Sequence, residues 1–183
     1  PHLMQADSLG RAHVIWTNHE ATEEHLETLA HASRATLQRM TVSLEAQVVY
    51  YQIVALTRKQ FAVRDKEGRQ KVIDLQQCTA MQRAKDAKEF MPRLHYLRAM
   101  ALSMQLIGDH GSSLEYNWEL NRLWEDFPKM KVHQGHIYVT CLANLLGACS
   151  NLSTYAPMPE FIAKMQAIEP DSPSQEIEIT HNV

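Results

Sequence analysis

Apolar residues recur at every third or fourth position along most of this chain, a spacing that places them on one face of an α-helix. The pattern is clearest over about 87–107, where Phe90, Leu94, Leu97 and Ala101 share a face and Gly108 ends the run. It predicts further helices over about 18–40, 43–62, 69–85, 112–127, 133–152 and 159–169. Strand-like alternation occurs only at 176–180. The sequence therefore predicts an all-α fold of about seven helices.

The first two predicted helices have long apolar stripes. The stripe of the first helix contains Leu26, Ala30, Ser33, Leu37 and Met40. The second helix has two apolar faces, one formed by Leu44, Val48, Tyr51 and Ala55 and the other by Val49, Ile53 and Leu56. A helix that is apolar most of the way round is covered on two sides in a folded protein. We therefore expect the second helix to lie between two neighbours.

The predicted helices also recur at a fixed interval. Their connections are short, so consecutive helices are expected to pack antiparallel. The first helices of three successive pairs start near residues 43, 87 and 133, a period of about 45 residues. Helical hairpins at a fixed period are typical of an α-solenoid, in which each pair buries its apolar face against the next. We expect a helical repeat domain over 18–170, after a poorly structured segment at 1–17 and before a polar tail at 171–183.

Residues 94–170 resemble two tetratricopeptide repeats. In the second repeat, the family's first helix, turn tyrosine, second helix and terminal proline are matched by Leu142, Leu145, Leu146, Cys149, Tyr155, Met158, Ile162, Met165 and Pro170. In the first repeat, Leu97, Ala101 and Met104 match the family's first helix, and Gly108-Asp109-His110 matches its turn. The second helix of that hairpin is about three residues longer than the family pattern, which displaces Pro128. The resemblance implies a right-handed superhelix of antiparallel pairs, similar to divergent bacterial members with long repeats. Helical hairpins of the HEAT type are the alternative at this point.

The resemblance also implies a binding surface. In tetratricopeptide arrays the first helices line a concave groove that holds peptide segments. The groove positions here are His95, Arg98, Leu102, Gln105, Asn144 and Asn151. Arg98 would hold a carboxylate by charge-assisted hydrogen bonds, and Asn144 and Asn151 would hold an extended backbone. The alternative, a solvated face that binds nothing, remains open at this point.

Charge narrows the choice of partners. The chain has 18 Lys and Arg against 21 Asp and Glu, a net charge of −3, and shows no basic stripe. This balance argues against nucleic acid, because phosphate backbones select a basic face. No apolar run approaches the roughly 18–20 residues that span a membrane. We therefore predict a cytoplasmic protein with no membrane contact.

The cysteines give no sign of a disulfide framework. Cys78, Cys141 and Cys149 are odd in number and lie within apolar helical patterns. Small buried thiols in a reducing compartment fit this placement, and burial raises the pKa of a thiol and makes it less reactive. We therefore do not predict a catalytic cysteine.

The histidines do not form a recognisable metal site. His19 and His25 are six residues apart, which places them on different faces of a helix. His133 and His136 have no third ligand nearby in the sequence. A glycine-rich phosphate loop is also absent from the sequence. The sequence thus predicts no catalytic residue, no metal and no cofactor.

The main functional hypothesis is a non-catalytic scaffold that binds a protein or peptide. The first alternative is a regulatory or sensor segment of a larger bacterial protein, whose effector lies outside this chain. The second alternative is an enzyme with a site in the groove. Apolar ends of a short helical array would also allow the chain to form a homodimer.

Overall fold

The computed structural model describes residues 23–59, 62–63, 65–169 and 176. Within these residues helix accounts for 85% and there is no strand, which confirms the all-α prediction. The eight described helices are α1 (Glu23–Lys59), α2 (Lys66–Gln77), α3 (Thr79–Lys85), α4 (Phe90–Ile107), α5 (His110–Asp126), α6 (Pro128–His133), α7 (Gly135–Asn151) and α8 (Met158–Gln166). The predicted segment 1–17 and almost all of the predicted tail lie outside the described residues. The chain divides into two units, residues 1–41 and 42–183, and the packing below concerns the second.

The expected break between the first two helices is wrong, since α1 is a single helix. Neither Gly nor Pro interrupts it, and its Thr and Ser residues disfavour a helix by only a few tenths of a kcal/mol each. The hydroxyl of Thr41 donates to the carbonyl oxygen of Leu37 at 2.9 Å. That bond satisfies the Thr41 hydroxyl within the helix.

The expectation that this part of the chain is covered on two sides is also wrong. Val49 and Ile53 are buried, at 7% and 0% exposure. Leu44, Val48 and Tyr51, on the other apolar face, are each 57% exposed. Within the second unit, one apolar face of α1 is therefore buried and the other faces solvent.

The predicted helix at 69–85 is two helices, α2 and α3. Cys78 lies between them with a ψ of 155°, which is extended backbone. Asp65 caps the start of α2, because its Oδ1 accepts a hydrogen bond from the backbone N–H of Gly68 at 2.7 Å. The interruption at Cys78 follows no glycine or proline signal.

Helix α4 occupies the middle of the second unit, where it packs against α2, α3 and α5. It contributes to two apolar cores. The first core joins α4, α5, α7 and α8, and includes Leu94, Leu97, Leu120, Trp124, Leu142, Leu145, Phe161 and Met165. The second core joins α1, α2, α3 and α4, and includes Val49, Ile53, Val72, Met81, Ala99, Met100 and Leu106. Helix α4 therefore places the polar residues on its buried faces, His95 and Ser103, in the interior next to these cores.

Helices α4 and α5 form an antiparallel hairpin. Three contacts link residues whose numbers rise in α4 as they fall in α5: Phe90 with Trp124, Tyr96 with Tyr116, and Ala101 with Ser113. The turn is made by Gly108, whose φ of 82° is left-handed, and by Asp109, whose carboxylate accepts from the backbone N–H of Ser112 at 3.0 Å. The predicted Gly-Asp turn is thus observed.

Helices α7 and α8 continue the succession. Helix α5 packs on α7, and α7 packs on α8. The predicted stripe of this helix contained Leu142, Leu145, Leu146, Cys149 and Leu152. The first four are buried, whereas Leu152 follows the end of α7 and is 41% exposed. Tyr155 lies in the turn before α8, as expected, and is 58% exposed. Each described hairpin thus contacts its neighbour, whereas the superhelical, tetratricopeptide-like arrangement stays a prediction.

Candidate functional site

The six predicted groove residues lie in different environments. Gln105, Asn144 and Asn151 are exposed, and Leu102 is partly buried against the second core. Arg98 is partly buried, and His95 is only 3% exposed. The structure thus brings His95 and Arg98 into the interior, next to residues that the sequence did not indicate. A peptide-binding role for the six residues stays a prediction.

Arg98 is held in place by a tyrosine from α1. Its Nη2 donates a hydrogen bond to Tyr50 Oη at 2.7 Å, and its Cζ lies 4.3 Å from the centroid of the Tyr50 ring. The contact combines a hydrogen bond with a cation–π interaction. It arises because Tyr50 is next to the buried Val49 on α1, and Arg98 is next to the buried Ala99 on α4. The two core helices therefore determine where the guanidinium lies.

The charge of Arg98 has no counterion within the protein as described. No Asp or Glu among the described residues forms an ion pair with it. Its Nε is buried and has no hydrogen-bond partner. A guanidinium is always charged near neutral pH, and withdrawing a charge from water without pairing it is unfavourable. Arg98 could therefore donate hydrogen bonds to a negatively charged acceptor, which the described residues do not supply.

His95 lies close to this pair but adds no positive charge. Its ring centroid is 6.4 Å from that of Tyr50, and its Nδ1 has no hydrogen-bond partner among the described residues. Burial, and to a lesser extent the positive charge of Arg98, lowers the pKa of His95 to about 4. The imidazole of His95 is therefore neutral at pH 7, and it lies near Arg98 as an uncharged polar group.

We call Tyr50, His95, Arg98 and Cys141 the Arg98 cluster. Cys141, from α7, is included because the positive charge of Arg98 acts on its thiol. Burial raises the pKa of the Cys141 thiol to about 11, and the charge of Arg98 opposes this shift only in part. Burial likewise raises the pKa of the Tyr50 phenol, which outweighs the opposite influence of Arg98. Both groups keep their protons at neutral pH. The thiol is thus a poor nucleophile. Of the three cysteines that were predicted to be buried, Cys141 and Cys149 are buried and Cys78 is only partly buried.

The cluster is rich in donors. Tyr50 accepts a hydrogen bond from Arg98 and retains its own proton for another acceptor. Arg98 has further N–H groups beyond the one that meets Tyr50. A carboxylate suits such a set, because charge-assisted hydrogen bonds to arginine are among the strongest in proteins. The chemistry of the cluster therefore favours recognition of an anion.

Sequence reasoning missed Tyr50 and Cys141. Tyr50 belongs to neither of the two apolar faces that were recognised in that helix, and it is separated from Arg98 by 48 residues. The only feature of the sequence that could have indicated Tyr50 is that it is an aromatic residue next to Val49, which lies on a predicted apolar face. Cys141 was expected to be buried, but nothing in the sequence placed it near a charge.

The described residues contain neither a metal-binding cluster nor a helix that could span a membrane. Nowhere in 23–59, 62–63 and 65–169 do three His, Cys, Asp or Glu side chains approach closely enough to share a metal ion. His19 lies outside the described residues, and His133 and His136 are exposed. None of the described helices combines the length and apolarity needed to cross a membrane.

Comparison of the chain with protein-family models, with curated proteins and with solved structures found no match. The likeness to tetratricopeptide repeats therefore depends on the sequence spacing alone, and membership of that family stays a prediction.

Proposed function

We propose that this protein is a non-catalytic helical scaffold that binds a carboxylate-bearing protein or peptide segment at the Arg98 cluster. The observation that carries the proposal is a partly buried guanidinium that Tyr50 orients and no described carboxylate neutralises. A hydrogen bond to a charged group contributes about 1.5–3 kcal/mol. The carboxylate belongs to an acidic side chain or to the carboxyl terminus of the bound segment.

The proposal includes a tetratricopeptide-like arrangement of the hairpins. In it, α4 and α7 are first helices of successive repeats in a right-handed superhelix, and they line a concave face. Gln105, Asn144 and Asn151, which are exposed, hydrogen-bond the backbone of the bound segment. The antiparallel α4–α5 hairpin and the packing of α5 on α7 and of α7 on α8 support this arrangement. A cytoplasmic, bacterial protein is the setting that we propose.

Selection of peptides tests the proposal. A library of short random peptides with free carboxyl termini is passed over the immobilised wild-type protein, and over variants that carry Arg98→Gln or Arg122→Gln. Arg122 is an exposed arginine of α5 outside the cluster, so its variant controls for the loss of one positive charge. We expect acidic or carboxyl-terminal motifs to be enriched by the wild type and by Arg122→Gln. Equal enrichment by Arg98→Gln, or no enrichment by any of the three proteins, would refute the proposed function.

A further inference from the structure

An exposed aromatic ring adjoins the Arg98 cluster. The ring centroid of Tyr51 lies 5.4 Å from that of Tyr50, and the two ring planes are inclined at 50°. Tyr51 is 57% exposed, whereas Tyr50 is partly buried. The two rings thus connect the partly buried guanidinium of Arg98, which Tyr50 orients, to a ring that solvent can reach.

Two further apolar side chains lie beside Tyr51 on the same helix face. Val48 precedes Tyr51 by three residues and Leu44 precedes Val48 by four, so the three side chains occupy successive turns of α1. Leu44 and Val48 are each 57% exposed, and all three residues belong to the second unit. We call Leu44, Val48 and Tyr51 the Tyr51 patch. A contiguous apolar patch beside an unpaired charge is typical of a binding surface.

The distance between the charge and the exposed ring suits a short stretch of peptide. Arg98 Cζ lies 4.3 Å from the centroid of the Tyr50 ring, and the Tyr51 centroid lies 5.4 Å from that same point. The guanidinium and the Tyr51 ring are therefore at most about 10 Å apart, which about three extended residues span. A segment whose carboxylate binds Arg98 can thus place a side chain of the same residue, or of either of the next two, on Tyr51.

We propose that the Tyr51 patch binds an aromatic or large aliphatic side chain that lies within two residues of the carboxylate recognised by Arg98. This inference rests on the proposed function, because it specifies the neighbour of that carboxylate. Contact between such a side chain and the Tyr51 ring removes apolar surface of both partners from water, which favours binding. A tyrosine ring also provides a large contact area at a low cost in conformational entropy.

The guanidinium and the patch select different features of one segment. Arg98 selects a negative charge, whereas the Tyr51 patch contains no charged group. A run of consecutive acidic residues would place a second carboxylate against apolar surface, where it loses hydration without gaining a partner. A single carboxylate with an apolar neighbour avoids this cost and makes both contacts. The site therefore favours such a segment over a highly acidic one.

Peptide selection is the first test. The library of random peptides with free carboxyl termini is passed over the wild type, Tyr51→Ser and Tyr155→Ser, and the enriched peptides are sequenced. Tyr155 is a matched control, because it is 58% exposed and lies in the turn before α8. The wild type and Tyr155→Ser should enrich aromatic and large aliphatic residues within two positions of a carboxylate, and Tyr51→Ser should lose this preference. The same preference in all three proteins, or in none of them, would overturn the inference.

Affinity measurements give the size of the effect. One selected peptide and its form with the apolar residue replaced by alanine are titrated into the wild type, Tyr51→Ser, Tyr51→Phe and Tyr155→Ser. The replacement should weaken binding about tenfold in the wild type, in Tyr155→Ser and in Tyr51→Phe, which keeps the ring, but less than about twofold in Tyr51→Ser. Equal weakening in Tyr51→Ser and in the wild type would contradict contact with the ring.

The outcomes distinguish this inference from the proposed function. Selection of carboxylates by the wild type, lost in Arg98→Gln but without a preferred apolar neighbour, would overturn the inference and leave the proposed function standing. Selection of apolar residues without a carboxylate would overturn both. Tyr51→Ser changes an exposed side chain, so we expect it to fold, which circular dichroism checks. If it does not fold, Val48→Ser, at an equally exposed position, should show the same loss of preference, and an unchanged preference would again overturn the inference.

Discussion

Replacement of His95 by glutamine should make the protein less sensitive to acid. His95 is 3% exposed and its pKa is lowered to about 4, chiefly by burial and secondly by Arg98. In the unfolded chain its pKa returns to about 6.5. Between these values the unfolded state binds a proton that the folded state does not bind. The free energy of unfolding therefore falls as pH decreases from about 6.5 towards 4, and the contribution of His95 is fully present only above about 6.5.

The size of the effect follows from the shift. One pKa unit corresponds to about 1.36 kcal/mol, so lowering the pH from 7 to 4.5 should remove roughly 2 kcal/mol through His95 alone. Glutamine keeps a polar amide at the position but does not titrate. We expect the wild type to lose roughly 2 kcal/mol more than His95→Gln over this interval, because acidic groups titrate equally in both proteins and cancel in the difference.

Urea unfolding at pH 7, 5.5 and 4.5, followed by circular dichroism, measures this difference. His136→Gln serves as the matched control, because His136 is an exposed histidine of α7. Its stability should follow that of the wild type at every pH. If the curves of the wild type and His95→Gln remain parallel within about 0.5 kcal/mol, His95 is not held neutral by burial. The description of the Arg98 cluster would then be wrong.

Three further predictions concern the packing around the site. Ser113→Ala removes the buried hydrogen bond that Ser113 Oγ donates to the carbonyl oxygen of Ala101 at 2.9 Å. The free energy of unfolding, measured by thermal unfolding, should therefore fall by about 1 kcal/mol. An unchanged melting temperature would count against the α4–α5 contact. Gly108→Ala should destabilise the protein by about 1 kcal/mol, because the φ of Gly108 is 82°. Gly147 lies in helix α7 with open space around it, so Gly147→Ala should stabilise the protein by up to about 1 kcal/mol. Equal effects of the two changes in urea unfolding would contradict the left-handed turn. Burial raises the pKa of Cys141 to about 11, so its thiol should not react with iodoacetamide at pH 7.5 in the folded protein and should react only in denaturant. Peptide mass mapping measures this labelling. Rapid labelling without denaturant would show that the thiol is not buried.

Local signals in the sequence predicted most of the helices. Gly108 and Asp109 gave the α4–α5 turn, because a left-handed residue and a carboxylate cap are local requirements. The expected break after Met40 was wrong, since α1 continues to Lys59 and neither Gly nor Pro interrupts it. The interruption at Cys78 was missed, because neither a glycine nor a proline marks it in the sequence.

The candidate site was predicted only in part. The resemblance to tetratricopeptide repeats singled out Arg98 and His95, but it could not show that His95 is buried. The partner of Arg98 is Tyr50, 48 residues away, and only tertiary packing brings the two together. Likewise, periodicity identified both apolar faces of α1 around residue 50, but it could not decide which of them the protein would cover.

The affinity of one peptide in two chemical forms tests the central claim most directly. A peptide selected by the wild-type protein is prepared with its recognised carboxylate free and with the same group amidated. Both forms are titrated into the wild type and Arg98→Gln by calorimetry. We predict that the wild type binds the carboxylate form at least about tenfold more tightly, which corresponds to about 1.4 kcal/mol, and that Arg98→Gln binds both forms equally. A preference for the carboxylate that persists unchanged in Arg98→Gln would contradict the proposed role of the Arg98 cluster.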